Sequence, residues 1–481
     1  MTIHFSIGGQ DTPAASGKTF VRKDPVTGKD ATTAAAMGQD DIAPLMKAAV
    51  EGAGAWGKMG PNDRRRILNK AAELMEARAD DFIAAMITET GATKPWAGFN
   101  VGLGAGHIRE AAALTTQVGG RTIPSDKPGT LAMSVRVPKG VCLAIAPWNA
   151  PVILAARAVA SPLACGNAVI LKASEMCPAV HRLLIDCFVD AGVPAGAVNY
   201  VSNAPEDAAD VVKALIEAPE VRHVNFTGSS KVGRVIGRLA GENLKPALLE
   251  LGGKAPLVIL DDADLDGAVN AAIFGAFMNQ GQICMSTERI IVDDRIADDF
   301  AKRLADRASA LPWGDPRDQV VLGSLVTPDA GEKMDALIKD ATQKGAKVIA
   351  GGDRKGAMVA ATLLDGVTAD MRVYAEESFG PVKPIIRVSG DDAAVAVAND
   401  TEYGLSAAVF SQDISRALSV ANRIHSGIVH INGPTLNDEP QMPFGGVGAS
   451  GFGRFGGTEV IHEFTDLRWI TIEDPNQHYP F

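Results

Sequence analysis

Aromatic residues make up only 5% of this 481-residue chain, and cysteine occurs five times. The five, Cys142, Cys165, Cys177, Cys187 and Cys284, are odd in number and set at no close spacing. That argues against a disulfide-stapled scaffold and predicts reduced thiols in a cytoplasmic protein. Cys-x-x-Cys and His-Glu-x-x-His patterns are missing, so no structural or catalytic metal is expected. No uninterrupted apolar run approaches about 18 residues, and none is therefore expected to span a membrane. The opening Met1-Thr2-Ile3-His4-Phe5-Ser6 has neither the charged nor the apolar region of a secretory signal. Basic residues are also short: 46 against 57 acidic give a formal net charge of −11, with no stretch able to track phosphates. Nucleic acid and anionic membrane are thus not expected as partners. What remains, 46% hydrophobic and 21% charged, is a soluble globular composition, long enough for two or three domains.

Alternation of apolar runs and helical patterns is abundant from Gly140 onward. Strands are predicted at 141–146, 168–172, 198–201, 221–226 and 248–251, with helices at 152–163, 178–191, 205–217 and 231–240 between them. Repeated strand–helix units imply a doubly wound parallel sheet that binds ligands beyond the carboxyl ends of its strands. A second such series runs from Ala255 to about Pro434. The stretch 41–101 reads as amphipathic helix, and 122–139 as a hairpin with Pro-Ser-Asp and Lys-Pro-Gly turns. Gly52-Ala53-Gly54-Ala55-Trp56-Gly57 spells G-x-G-x-x-G, but a helical pattern rather than a strand precedes it, so it is not read as a dinucleotide site.

Three segments carry candidate chemistry. In Asn279-Gln280-Gly281-Gln282-Ile283-Cys284, a glycine breaks a helical pattern just before a thiol, and Arg289-Ile290-Ile291-Val292 follows as a strand. A cysteine thiolate on such a turn is a capable nucleophile, although most lone cysteines are small core residues. Glu250 ends an apolar run before Gly252 and Gly253, where desolvation would raise its pKa toward that of a general base. Asn149, between Pro147-Trp148 and Ala150-Pro151, offers an amide NH2 to an oxyanion. For an anionic cofactor, Phe226-Thr227-Gly228-Ser229-Ser230-Lys231-Val232-Gly233 leads from strand to helix, where glycines admit a pyrophosphate to helix N-terminal amides.

Taken with Leu171-Lys172-Ala173-Ser174-Glu175, Glu376-Glu377-Ser378-Phe379-Gly380-Pro381 and Pro443-Phe444-Gly445-Gly446, these segments resemble the aldehyde dehydrogenase superfamily over essentially the whole chain. Trp96 to Val101, Gly281 to Arg289 and the ending Tyr479-Pro480-Phe481 look like the bacterial aromatic aldehyde dehydrogenases of salicylaldehyde, vanillin and benzaldehyde type. The resemblance implies two doubly wound, Rossmann-like domains with a small β oligomerisation domain. Residues 1–121 and 140–252 would form the NAD-binding domain, 253–460 the catalytic domain, and 122–139 with 461–481 the oligomerisation domain of a homodimer or homotetramer. It implies Cys284 as nucleophile, Glu250 as base and Asn149 as oxyanion donor. Cofactor contacts would come from Pro147, Trp148, Lys172, Glu175, Gly228, Ser229, Gly233, Leu251, Glu377 and Phe379. A carboxylate at Glu175 accepts from a ribose 2′-hydroxyl and repels a 2′-phosphate, so NAD is favoured over NADP.

For the substrate, Trp96, Phe99, Phe274 and Phe277 are candidate walls of a flat apolar pocket, with helix core the competing role for Phe274 and Phe277. Arg157 lies about 80° round a helix from Asn149. It would hold an oxyanion or a ring hydroxyl, or else be a surface ion-pair partner. The expected reaction is NAD-dependent oxidation of an aromatic aldehyde to its acid. A semialdehyde or aliphatic aldehyde dehydrogenase is the runner-up, and a silent scaffold of the same fold the remote alternative.

Overall fold

In a computed structural model, which describes residues 2–481, both alternating series become mostly parallel sheets. Val141–Ile145, Ala168–Lys172 and Val198–Val201 are buried along their whole length. Continuous burial is what a parallel sheet covered on both faces requires. The first sheet has eight strands. Five central ones, Ala247–Glu250, Val221–Thr227, Val141–Ile145, Ala168–Lys172 and Val198–Val201, run parallel. The second has seven, from Lys347–Ala350 at one edge to Ile428–Ile431 at the other, all parallel except the first pair. Helix Pro151–Ala164 follows Val141–Ile145 and is buried at every position, so Asn149 sits in the turn between two fully buried elements.

Three features differ from the sequence reading. The first 35 residues, for which no strands were predicted, supply five short ones, and two of these, Phe5–Ile7 and Gln10–Thr12, extend the first sheet at its edge. The second unit does not keep the chain to 460: Gly451–Phe452 pairs antiparallel with Ala247–Glu250 on the first sheet. Phe444, Phe455, Val460, Ile461 and Phe464 join the core around helix Pro151–Ala164. Their apolar surface is buried by the first domain, so the returning chain closes over the active-site strand. Last, the small sheet begins at Arg121–Ile123 and its third strand at Thr465, with 461–464 still helical. In that sheet Thr465–Ile472 pairs in full register with Leu131–Pro138.

The G-x-G-x-x-G segment lies inside helix Ile42–Gly57. Its glycine has a packing cause: a Cβ on Gly52 would lie 2.0 Å from the Gly196 carbonyl carbon. No helix among the described residues is long and apolar enough to cross a membrane.

Candidate active site

The turn before Cys284 holds three successive residues in left-handed backbone, Asn279 (φ 48°), Gln280 (φ 55°) and Gly281 (φ 73°). Such geometry is costly for non-glycine residues and persists only where the surroundings impose it. Here they do. The Gln280 side chain accepts from Gly323 N and donates to the Ser324 carbonyl, both at 3.0 Å, while Gln282 Oε1 accepts from Val326 N at 3.0 Å. A Cβ at Gly281 would meet the Gly380 carbonyl oxygen at 2.4 Å, so glycine alone fits. Sequence reading passed over both glutamines as turn residues. Their anchoring role shows only once the 323–326 segment lies alongside.

Cys284, Glu250 and Asn149 converge where the two sheets face each other. Glu250 is the last residue of its strand and fully buried, and it faces the Cys284 thiol. Burial pushes the Glu250 carboxyl above the usual range, against the pull of the Arg157 guanidinium and the thiol. Burial also pushes the Cys284 thiol well up, and the neighbouring carboxylate pushes it further. Burial thus favours the protonated form of both groups, and Glu250 is the acceptor that faces the thiol. Asn149 Nδ2 donates to the Gln282 carbonyl at 2.9 Å, which uses one of its two hydrogens. Its own carbonyl accepts from Trp96 Nε1 at 3.1 Å and Asn279 Nδ2 at 3.0 Å. The three segments thus lock one another.

Arg157 is fully buried, so it is not a surface ion-pair partner. Its guanidinium lies between the rings of Phe444 and Phe455, at 4.4 and 4.6 Å from their centroids. Nη2 is 3.4 Å from Glu250 Oε2 and Nη1 is 3.8 Å from Asp438 Oδ2. Asp438 in turn lies 3.5 Å from His107 Nε2. Neither Asp438 nor His107 was singled out from sequence. The one available signal was that His107 follows Trp96, Phe99 and Leu103 at helical spacing on a single face of Lys94–Leu114.

A narrow apolar cavity ends at Cys284, walled by Trp96, Phe99, Leu103, Ile153, Leu154 and Phe444, with Arg157 and Asp438 as charged members. Trp96 and Phe99 stack with ring centroids 5.6 Å apart. Two of the four expected wall residues are elsewhere. Phe277 is buried in the core of the second unit, and Phe274, 43% exposed, is not among the cavity's lining side chains. On helix Leu265–Phe277 the cavity is not the apolar environment that these rings serve; periodicity cannot say which neighbour a helix face meets.

The residues expected to meet a dinucleotide lie beyond the strand ends. Lys172 closes its strand and is ion-paired with Glu175, whose Oε1 also accepts from Asn203 Nδ2 at 2.9 Å. Ser229 caps helix Ser230–Glu242, its hydroxyl accepting from Val232 N. Gly228 and Gly233 have packing causes as well: a Cβ would lie 2.5 Å from the Phe226 ring and 2.3 Å from a Leu251 methyl. Glu377 accepts from Gly253 N at 2.9 Å, and burial raises its carboxyl to about 7. Phe379, at φ 49°, sets its ring edge-on to Trp148 at 5.7 Å. Buried His181, unmarked in sequence, ties the cofactor and catalytic loops together. Its ring accepts from the Ser174 N–H at 3.2 Å and faces the backbone at Pro147 and Pro151, and burial drives it down to about 3, keeping it neutral.

A family model described as the aldehyde dehydrogenase family matches residues 12–470. The chain belongs to that family. A vanillin dehydrogenase of Pseudomonas fluorescens is 57% identical over 481 residues, covering all of both chains. A salicylaldehyde dehydrogenase of Pseudomonas putida is 49% identical over 466 residues, 96% of each. Among solved structures, salicylaldehyde dehydrogenase from Pseudomonas putida G7 complexed with salicylaldehyde superposes with a TM-score of 0.98 at 48% identity, over all of both chains. The fold is that of aldehyde dehydrogenases, and the family's oxidation uses a nicotinamide cofactor.

Proposed function

We propose that this aldehyde dehydrogenase oxidises an aromatic aldehyde to its carboxylic acid, with NAD as cofactor, Cys284 as nucleophile and Glu250 as base. The observation that carries the reading is Cys284, backed by Glu250, in the lining of an apolar cavity walled by Trp96 and Phe99. The vanillin and salicylaldehyde dehydrogenases, similar over nearly their whole length, support the substrate class.

Cys284 yields its proton to Glu250 and attacks the carbonyl carbon. The oxyanion is met by the second Asn149 amide hydrogen and the Cys284 N–H; one such donor is typically worth a hundred- to a thousandfold in turnover, on the order of 3–4 kcal/mol. Bound nicotinamide supplies the hydride acceptor, and the carbon then remains on Cys284 as a thioester. Glu250, once it has released the thiol's proton to solvent, takes a proton from water, whose oxygen attacks the thioester carbon; the Cys284 thiolate leaves and the acid is released. Around the cofactor, the Glu175 carboxylate, set by Lys172 and Asn203, favours a ribose hydroxyl over a 2′-phosphate. Ser229 ends a helix whose N-terminal amides suit a pyrophosphate.

A semialdehyde substrate fits less well, because its carboxylate needs a free cation. Arg157, the only cation lining the cavity, is already engaged by Glu250 and Asp438. On the small sheet, Leu467, Trp469 and Ile472 are exposed, Trp469 by 76%, which suits burial in a homodimer or homotetramer. The test of the function is reduction of NAD and of NADP with benzaldehyde, salicylaldehyde, vanillin, acetaldehyde and succinic semialdehyde. Aromatic substrates with NAD should give the highest kcat/KM; an equal or higher value for acetaldehyde or succinic semialdehyde would refute the aromatic reading.

A further inference from the structure

Five side chains form a continuous line inward from the nucleophile: Cys284, Glu250, Arg157, Asp438 and His107. All but Cys284 are buried or nearly so, and the line crosses five segments distant in sequence. A buried guanidinium beside a single buried carboxylate would hold it in a tight, doubly hydrogen-bonded pair. Such a carboxylate is a poor base, because its proton affinity is spent on the ion pair.

That is not what the geometry shows. Arg157 meets Glu250 with one nitrogen at 3.4 Å and Asp438 with another at 3.8 Å, both long for charged pairs. Glu250 Oε1, Asp438 Oδ1, His107 Nε2 and Arg157 Nε and Nη1 have no hydrogen-bond partner among the described residues. The guanidinium is held instead by the faces of Phe444 and Phe455. Between the two carboxylates it makes one long hydrogen bond, to Glu250, and a looser contact with Asp438.

We propose that Asp438, with His107 beside it, is a positioning residue that shares the Arg157 charge and so keeps Glu250 out of a closed ion pair, free to exchange protons with Cys284 and water. The groups facing Glu250 are Arg157 from helix Pro151–Ala164, Cys284 from its turn and Asp438 from the 432–440 loop. Asp438 stays ionised despite its burial, because His107 and Arg157 stabilise its charge. Its negative charge opposes the pull of Arg157 on Glu250. Removing that charge leaves Arg157 with one carboxylate, which it should grip.

This inference rests on Glu250 being the base, and the experiment separates the two. Asp438→Asn, Asp438→Glu, His107→Asn and Glu250→Gln are compared for pH–kcat/KM profiles on benzaldehyde and salicylaldehyde, and for melting temperature. In Asp438→Asn the acid limb should move down by roughly one pH unit, and the plateau should fall about tenfold, equally for both aldehydes. His107→Asn should shift the limb in the same direction by less, and Asp438→Glu should restore it. An unmoved profile with a lowered melting temperature would make Asp438 merely structural and overturn the proposal. Loss confined to salicylaldehyde would assign Asp438 to the ring hydroxyl and overturn it equally. Wild-type turnover in Glu250→Gln would remove the base itself, and this proposal with it.

Discussion

Phe99→Ala tests the substrate pocket with the least disturbance to the fold. The ring is 46% exposed, stacked on Trp96 and facing the cavity, so truncation leaves no closed core void. Burying a whole Phe side chain is worth roughly 1.5–3 kcal/mol. About half of this ring is still open, which leaves on the order of 1 kcal/mol for a substrate ring to gain by covering it. Favourable ring pairing adds about 0.5–1.5 kcal/mol. A total near 1.5–2.5 kcal/mol corresponds to roughly ten- to seventyfold, at 1.36 kcal/mol per tenfold. The variant's kcat/KM should fall by that factor on benzaldehyde and stay within about twofold on acetaldehyde. Steady-state NADH formation with both aldehydes measures the ratio. Equal losses on the two would mean that Phe99 acts through the fold or the catalytic pair, and no loss on benzaldehyde would mean that the substrate ring lies elsewhere.

Cys284→Ala should abolish aldehyde oxidation while NAD binding, followed by fluorescence titration, stays near wild type; residual turnover above a few per cent would acquit the thiol. In Glu250→Gln, the thiol loses the acceptor that it contacts, so rapid mixing should show both a slower NADH burst and a slower steady phase. A burst at the wild-type rate followed by a stalled steady phase would confine Glu250 to thioester hydrolysis. Gly281→Ala puts a Cβ at 2.4 Å from the Gly380 carbonyl in left-handed backbone and should lower both melting temperature and turnover; retention of both would show that the turn yields freely. Glu89 is fully buried, and burial raises its carboxyl from 4.5 to about 7, although Ala179 N and Val180 N donate to it. Between those values the folded state binds the proton that the unfolded state has lost, so this contribution is present below about 4.5 and fades as pH rises through 7. The melting-temperature advantage of wild type over Glu89→Gln should therefore shrink from pH 4.5 to 7.5, and a constant gap would refute the shift.

Much of the architecture was legible because its signals are local. Apolar runs of five or so residues between helical patterns located the central strands to within a residue or two, since parallel strands buried on both faces admit little else. Glu250 and Asn149 could be placed at strand ends for the same reason, and Cys284 by the glycine that breaks its helix. The N-terminal strands were missed because each is short, two to six residues; Thr19–Lys23 does alternate and Phe5–Ile7 is wholly buried, but over too few residues to stand out.

What sequence alone determined, then, is the order of elements, the family and the chemical types at the nucleophile, base and amide. Only the tertiary structure decided who meets whom. It turned Phe277 into the second core and left Phe274 off the cavity, because a helical period fixes a face but not its neighbour. Chain return brought Phe455 and Asp438, from far along the chain, to Arg157, and His107 reached Asp438 from three helical turns beyond Trp96. Charges in a buried line act over a few ångströms of low-dielectric space, and that distance is set by packing between segments that no local pattern connects.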